Sequence, residues 1–157
     1  MITTWAASLA WFAPLWATPR GTVLIVHGLG EHVGRYDAVA QRLRAWGWAV
    51  RGHDHQGHGR SDGARGRLHT DNGRLQDLDT VIDATRAHPL RGQGPLVLLG
   101  HSMGGLVAAC FVLLRRPAID GLILSSPALR ADLSATQKVM LSLLQRDPDD
   151  GLRAARP

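Results

Sequence analysis

Apolar and polar positions along this chain fall into blocks whose lengths predict strands alternating with helices. Thr22 to Val26 (TVLIV) is an unbroken, β-branched apolar run, the pattern of a strand covered on both faces. Tyr36, Val39, Ala40, Leu43 and Trp46 then recur at helical spacing until Gly47, and Trp48 to Val50 resumes as strand. A polar loop rich in Gly and His runs from Gly52 to about Thr70. Asp71 or Asn72 can cap a second helix, whose stripe is Leu75, Leu78, Val81, Ile82 and Thr85 and which ends before Pro89. Leu96 to Leu99 reads as strand. Met103 to Leu114 is apolar all round, as in a helix buried against a sheet, and Arg115-Arg116-Pro117 stops it. Ile119 to Leu124 is a further strand, and Ser134-x-x-Gln137 forms a capping box ahead of Val139, Met140, Leu143 and Leu144. Near the start, Leu9 to Ala13 is an early strand closed by Pro14. This succession predicts an α/β fold with a mostly parallel sheet and no internal repeat.

Composition narrows the picture. The chain has 157 residues, 45% of them hydrophobic, enough for one buried core. Its net charge of +5 does not point to nucleic acid. The basic residues are arginines apart from Lys138, scattered from Arg20 to Arg156, with no run interleaved with aromatics. Cys110 is the single cysteine, so no internal disulfide forms, which suits a cytoplasmic location; its apolar surroundings make it a small core residue. The apolar start, Met1 to Trp16, lacks a basic leading segment and holds Pro14, so it is read as strand rather than as a secretion signal. No uninterrupted apolar stretch approaches the roughly 18 residues that a spanning helix needs.

Chemistry is concentrated in LVLLGHSMGG, residues 96–105. A strand, then Gly100-His101-Ser102-Met103-Gly104, then an apolar helix is the G-x-S-x-G nucleophile elbow in its expected context. Ser102 is the nucleophile. A serine hydroxyl attacks poorly alone and needs a base to take its proton and donors to hold the oxyanion. One donor is the backbone N–H of Met103. The other is assigned to Leu29, in the loop His27-Gly28-Leu29-Gly30 that follows the TVLIV strand and fits the HGGG-type motif. His27, Gly28, Gly30 and His101 are the expected substrate contacts, although the elbow turns the His101 side chain away from the nucleophile. Gly28, Gly30 and Gly34 are one residue too widely spaced for a dinucleotide fingerprint. The segment His53-Asp54-His55-Gln56-Gly57-His58-Gly59 has ligands at metal-like spacing, but no second histidine cluster completes a hydrolytic site. It is read as a structural loop beside the active site, with its histidines hydrogen-bonded. The expected chemistry uses neither a metal nor a cofactor.

HGLGEHVGRY, GHDHQGHGRSDG and GHSMGG, three separate motifs in this order, resemble the monoacylglycerol lipase and lysophospholipase group of α/β-hydrolases, also called serine-aminopeptidase-like hydrolases. The resemblance covers roughly residues 9 to 145. It implies an α/β-hydrolase core over residues 1–130 and the start of a cap, with an irregular tail, over 131–157. It also implies carboxylic ester hydrolysis through an acyl-serine, with a monoacylglycerol or lysophospholipid as substrate and peripheral membrane contact through the cap. Triad order in this fold is Ser, then Asp or Glu, then His. No histidine follows His101. The chain therefore reads as truncated, through six of the usual eight strands, and on its own is expected to lack turnover. An inactive ester-binding module, or an aminopeptidase-like or general esterase, remain the alternatives.

Overall fold

A computed structural model describes residues 18–65, 73–89, 93–115 and 119–129, together with the backbone of 9–12. Five strands form one sheet: β1 (Leu9–Phe12), β2 (Thr22–Val26), β3 (Ala49–His53), β4 (Leu96–His101) and β5 (Gly121–Ser125), in the spatial order β1-β3-β2-β4-β5. The pairings β3–β2, β2–β4 and β4–β5 are parallel, and β1 runs antiparallel on β3. Three helices connect them: α1 (Asp37–Ala45), α2 (Gly73–Arg86) and α3 (Met103–Arg115), with a short 3-10 turn at Val33–Tyr36 before α1. The expected α/β succession is present, and the five strands read from the pattern of the chain are all found among the described residues.

The sheet is covered on both faces. Leu24 and Val26 of β2 and Leu96 and Leu98 of β4 meet α2 and α3 in one cluster. All five positions of the α2 stripe read from the sequence are buried. Alternation along the strands turns Val23, Ile25 and Val50 to the other face, where they pack with Ala40 of α1. β2 lies between two parallel neighbours and is buried at every position, as its unbroken apolar run requires.

Three expectations shift. β3 runs from Ala49 rather than Trp48 and continues beyond Val50 through Arg51, Gly52 and His53, the last two expected in the loop. Ladders on both sides override the polarity: Arg51 pairs with Leu24 and Trp11, and His53 with Val26 and Leu9. The apolar circumference of α3 is not buried all round, because Gly104, Gly105, Val107, Ala108 and Phe111 face the core while Leu113 and Leu114 are exposed. Trp46 is also exposed, sitting just beyond α1, where its N–H caps the Arg42 and Leu43 carbonyls. The cap region at 131–157, including the helix expected after Ser134, lies outside the described residues, as do the proposed caps Asp71 and Asn72. No helix among the described residues is long and apolar enough to cross a membrane.

Candidate active site

The carboxyl ends of the parallel strands open onto one edge of the sheet, and the loops leaving β2, β3, β4 and β5 meet there. At the end of β4 the chain turns into α3 through Ser102, whose φ is 51°. A non-glycine residue in this left-handed region costs free energy and persists only where its surroundings fix it. Here the Ser102 N–H donates to the Ser125 carbonyl at 3.1 Å, and its own carbonyl accepts from the N–H groups of Leu106 (3.1 Å) and Ala128 (3.0 Å). The motif glycines permit the close approach. A Cβ on Gly104 would stand 2.1 Å from the Val26 carbonyl oxygen and 2.4 Å from that of His27, and one on Gly100 would strike the backbone of Gly104. The first turn of α3 therefore rests directly on the end of β2. Met103 is the first residue of α3, and its N–H has no acceptor within the helix.

The loop after β2 comes up against the serine. A Cβ on Gly28 would lie 3.2 Å from the Ser102 Cβ. The Gly28 N–H donates to Glu31 Oε1 at 2.5 Å, and that oxygen also accepts from the Tyr36 hydroxyl at 2.7 Å. Burial opposes the charge on Glu31, but the Tyr36 hydroxyl and then the Gly28 N–H outweigh it and hold the carboxyl below its ordinary range. Leu29 is half exposed, and Gly30 adopts φ 70° with open space around it, so a side chain there would be strained rather than crowded.

His27 is fully buried beneath this loop. The backbone N–H of His55 donates to its Nε2 at 2.9 Å, which makes Nδ1 the protonated nitrogen of the neutral ring; Nδ1–H then donates to the Gly28 carbonyl at 2.8 Å. Both ring nitrogens are therefore occupied by the protein, and the influence of His27 on the site runs through the Gly28 carbonyl. His101 follows the alternation of Leu99 onto the α1 side. Its Nδ1 lies 3.0 Å from the Ser125 carbonyl and 3.2 Å from its hydroxyl. There it lines an open cleft of about 330 Å³ with Glu31, Arg35, Tyr36, Val39, Leu99 and Ser125.

The histidine-rich segment packs behind the loop. Asp54 is buried and accepts from the Val33 N–H (2.8 Å) and the Arg60 N–H (2.8 Å), and the Ser61 hydroxyl donates to its carbonyl. His58 Nδ1 lies 3.0 Å from the Gln56 carbonyl. The expected hydrogen-bonded loop is present, with His53 as its exception: both its ring nitrogens are buried without a hydrogen-bond partner among the described residues. Burial, then the neighbouring His27, lowers the His53 pKa from 6.5 to about 4, and burial lowers His27 and His55 as well. Between pH 6.5 and about 4 the His53 ring thus binds fewer protons in the folded chain than in the unfolded one. Its contribution to stability is full above pH 6.5 and falls as the pH drops through that window, while Asp77, which burial raises to about 7, works in the opposite direction. Thermal melts of wild type and a His53→Leu variant, run side by side so that the Asp77 effect cancels, are expected to show the wild-type midpoint falling relative to the variant as the pH drops through the window; a constant difference contradicts neutral burial of this ring.

Sequence reading missed two features of the site. Ser125 and Ser126 cradle the elbow from the end of β5, with Ser126 also at a left-handed φ of 43°, and only the pairing of β5 with β4 brings them there. Arg74, at the start of α2, donates from Nη1 to Met103 Sδ at 3.0 Å. Glu31, by contrast, follows the glycine loop directly in sequence and could have been found as its carboxylate clamp.

A parallel sheet flanked by helices on both faces, with a serine held at positive φ between strand and helix, defines an α/β-hydrolase. The model of the family described as serine aminopeptidase, S33, matches residues 17–147, and the chain belongs to that family. It is 38% identical over 143 residues to a monoacylglycerol lipase of Mycolicibacterium smegmatis, covering 87% of this chain and 50% of that protein. It is 37% identical over 125 residues to phospholipase YtpA of Bacillus subtilis, covering 79% of this chain and 47% of that protein. Among solved structures, the monoacylglycerol lipase of Paleococcus ferrophilus superimposes with a TM-score of 0.69 at 32% identity, covering 91% of this chain and 52% of that one. The chain spans about half the length of these relatives.

Proposed function

We propose that this protein hydrolyses carboxylic esters through an acyl-serine formed on Ser102, and that its substrates are monoacylglycerols or lysophospholipids. The observation that carries the reading is the elbow: Ser102 held at φ 51° against the Gly28 loop, with the N-terminus of α3 beginning at the next residue. In the first half-reaction the Ser102 oxygen attacks the ester carbonyl while a base takes its proton. The carbonyl oxygen becomes an oxyanion, and the N–H groups of Leu29 and Met103 stabilise it, aided by the positive end of α3. Collapse expels the alcohol and leaves the acyl-serine, which water then cleaves by the same route.

Among the described residues no histidine ring is hydrogen-bonded to the Ser102 hydroxyl. His101 is turned to Ser125, His27 and His58 bond carbonyls of their own loops, and the His55 ring bonds the His27 carbonyl. The triad order of the fold assigns base and acid to residues after the elbow. The cleft lined by His101 and Glu31, with Val39 and Leu99 as its apolar part, is suited to a group with polar and apolar portions, as a glycerol ester has. The relatives named for monoacylglycerol and phospholipid hydrolysis support the same substrate class.

The test is turnover of glycerol monoesters of increasing acyl length, lysophospholipids and aminoacyl amides by a turnover-competent form of the protein. Preference for medium or long acyl esters is expected. Preference for aminoacyl amides would overturn the substrate class, and binding of esters without turnover would overturn catalysis.

A further inference from the structure

The segment that leaves β3 reaches back to the loop leaving β2 at several points, and its hold on His27 centres on His55, buried to 1% exposure and far from Ser102 in sequence. His55 holds His27 twice. Its backbone N–H donates to His27 Nε2 at 2.9 Å, and its ring Nε2, 3.1 Å from the His27 carbonyl oxygen, carries a proton because a carbonyl can only accept. The two rings meet edge to face with centroids 4.4 Å apart. Side chain and main chain of residue 27 are thus both fixed from one position.

The consequence appears one residue further on. With Nε2 of His27 accepting from His55, Nδ1 must be the donor, and it holds the Gly28 carbonyl at 2.8 Å. The peptide between Gly28 and Leu29 is trans, as every peptide among the described residues is, so its N–H points opposite to its carbonyl. Clamping the Gly28 oxygen towards His27 therefore turns the Leu29 N–H the other way, out from the buried ring.

We propose that the His55 ring is a positioning group for the oxyanion hole: it anchors the main chain of His27, whose tautomer the backbone N–H of residue 55 sets, and so fixes the direction of the Leu29 N–H. This rests on the reading of Ser102 as nucleophile and extends it to a residue that touches neither substrate nor serine. The alternative is that His55 merely fills space in the core, where it also contacts His53 with ring centroids 5.0 Å apart.

Two variants of similar length separate these roles. His55→Gln retains a donor that can reach the His27 carbonyl, and His55→Met fills the volume without one. In a turnover-competent form, His55→Met is expected to lower kcat by about 10²-fold, as when one oxyanion donor is lost, with KM within about twofold of wild type. His55→Gln should recover most of that loss. The Leu29 amide resonance in ¹⁵N-labelled protein gives a readout independent of hydrolysis; it should move in the Met variant and return towards its wild-type position in the Gln variant. Equal kinetics in the two variants, or an unmoved Leu29 amide in both, would overturn the proposal. Absence of ester turnover in a form that also supplies a base and an acid would instead remove the hydrolase reading, while the amide shifts would still decide whether His55 orients the loop.

Discussion

In a turnover-competent form of the protein, replacing Ser102 with alanine is expected to abolish ester turnover, by a factor of about 10⁶ on the scale of other serine hydrolases stripped of their nucleophile. The size of the effect follows from what the fold spends on this residue. Ser102 occupies a left-handed backbone conformation, φ 51°, that most residues avoid. Three backbone hydrogen bonds hold it there, from Ser102 N–H to Ser125 and to the Ser102 carbonyl from Leu106 and Ala128. Gly100 and Gly104 are kept free of side chains so that strand and helix can close around it. None of these devices involves the hydroxyl, so the alanine variant should fold with an unchanged thermal midpoint. A fluorophosphonate probe should label that turnover-competent form and leave its alanine variant unlabelled. Labelling that survives the substitution would place the nucleophile elsewhere.

Gly28→Val is expected to cost about 10²–10³ in kcat, the loss associated with one oxyanion donor. A Cβ at this position would meet Glu31 Oε1 at 2.8 Å, the Ser102 Cβ at 3.2 Å and the His101 carbonyl oxygen at 3.4 Å. Glu31 cannot swing aside without giving up its bonds from the Gly28 N–H and the Tyr36 hydroxyl. The added bulk is therefore relieved by moving the loop away from the serine, which displaces the Leu29 amide. Leu29→Ala offers the contrast. Its side chain is half exposed and the proposed donor is its backbone N–H, so kcat should stay within about twofold. Steady-state kinetics on one ester substrate check both. Equal losses in the two variants would mean that the Leu29 side chain, rather than its amide, serves the site.

How much of this was legible in the sequence depends on the range of the interactions concerned. The elbow, the glycine loop, the TVLIV strand and the α2 stripe were read directly, because each is encoded by neighbours within a few residues of one another. The end of β3 was not, since Arg51 and His53 belong to the ladder only by virtue of strands on both sides. The support of Ser102 by Ser125 and Ala128 depends on β5 pairing with β4 and leaves no local signature. His55 was recognised as part of a hydrogen-bonded loop, but its partner, His27, lies 28 residues away and appears only when β2 and β3 pair. Exposure misled in the other direction. Leu113 and Leu114 look like core by composition, yet both are exposed at the C-terminal end of α3.

The central claim, an acyl-serine on Ser102, is tested most directly by trapping the intermediate. A turnover-competent form of the protein is mixed with a slowly deacylating activated ester, quenched in acid and analysed by intact mass and peptide mapping. The account predicts one acyl group per chain, carried on the peptide containing Ser102 and absent from the Ser102→Ala variant. An acyl group mapped to another residue, or ester turnover that continues in the variant, would contradict it.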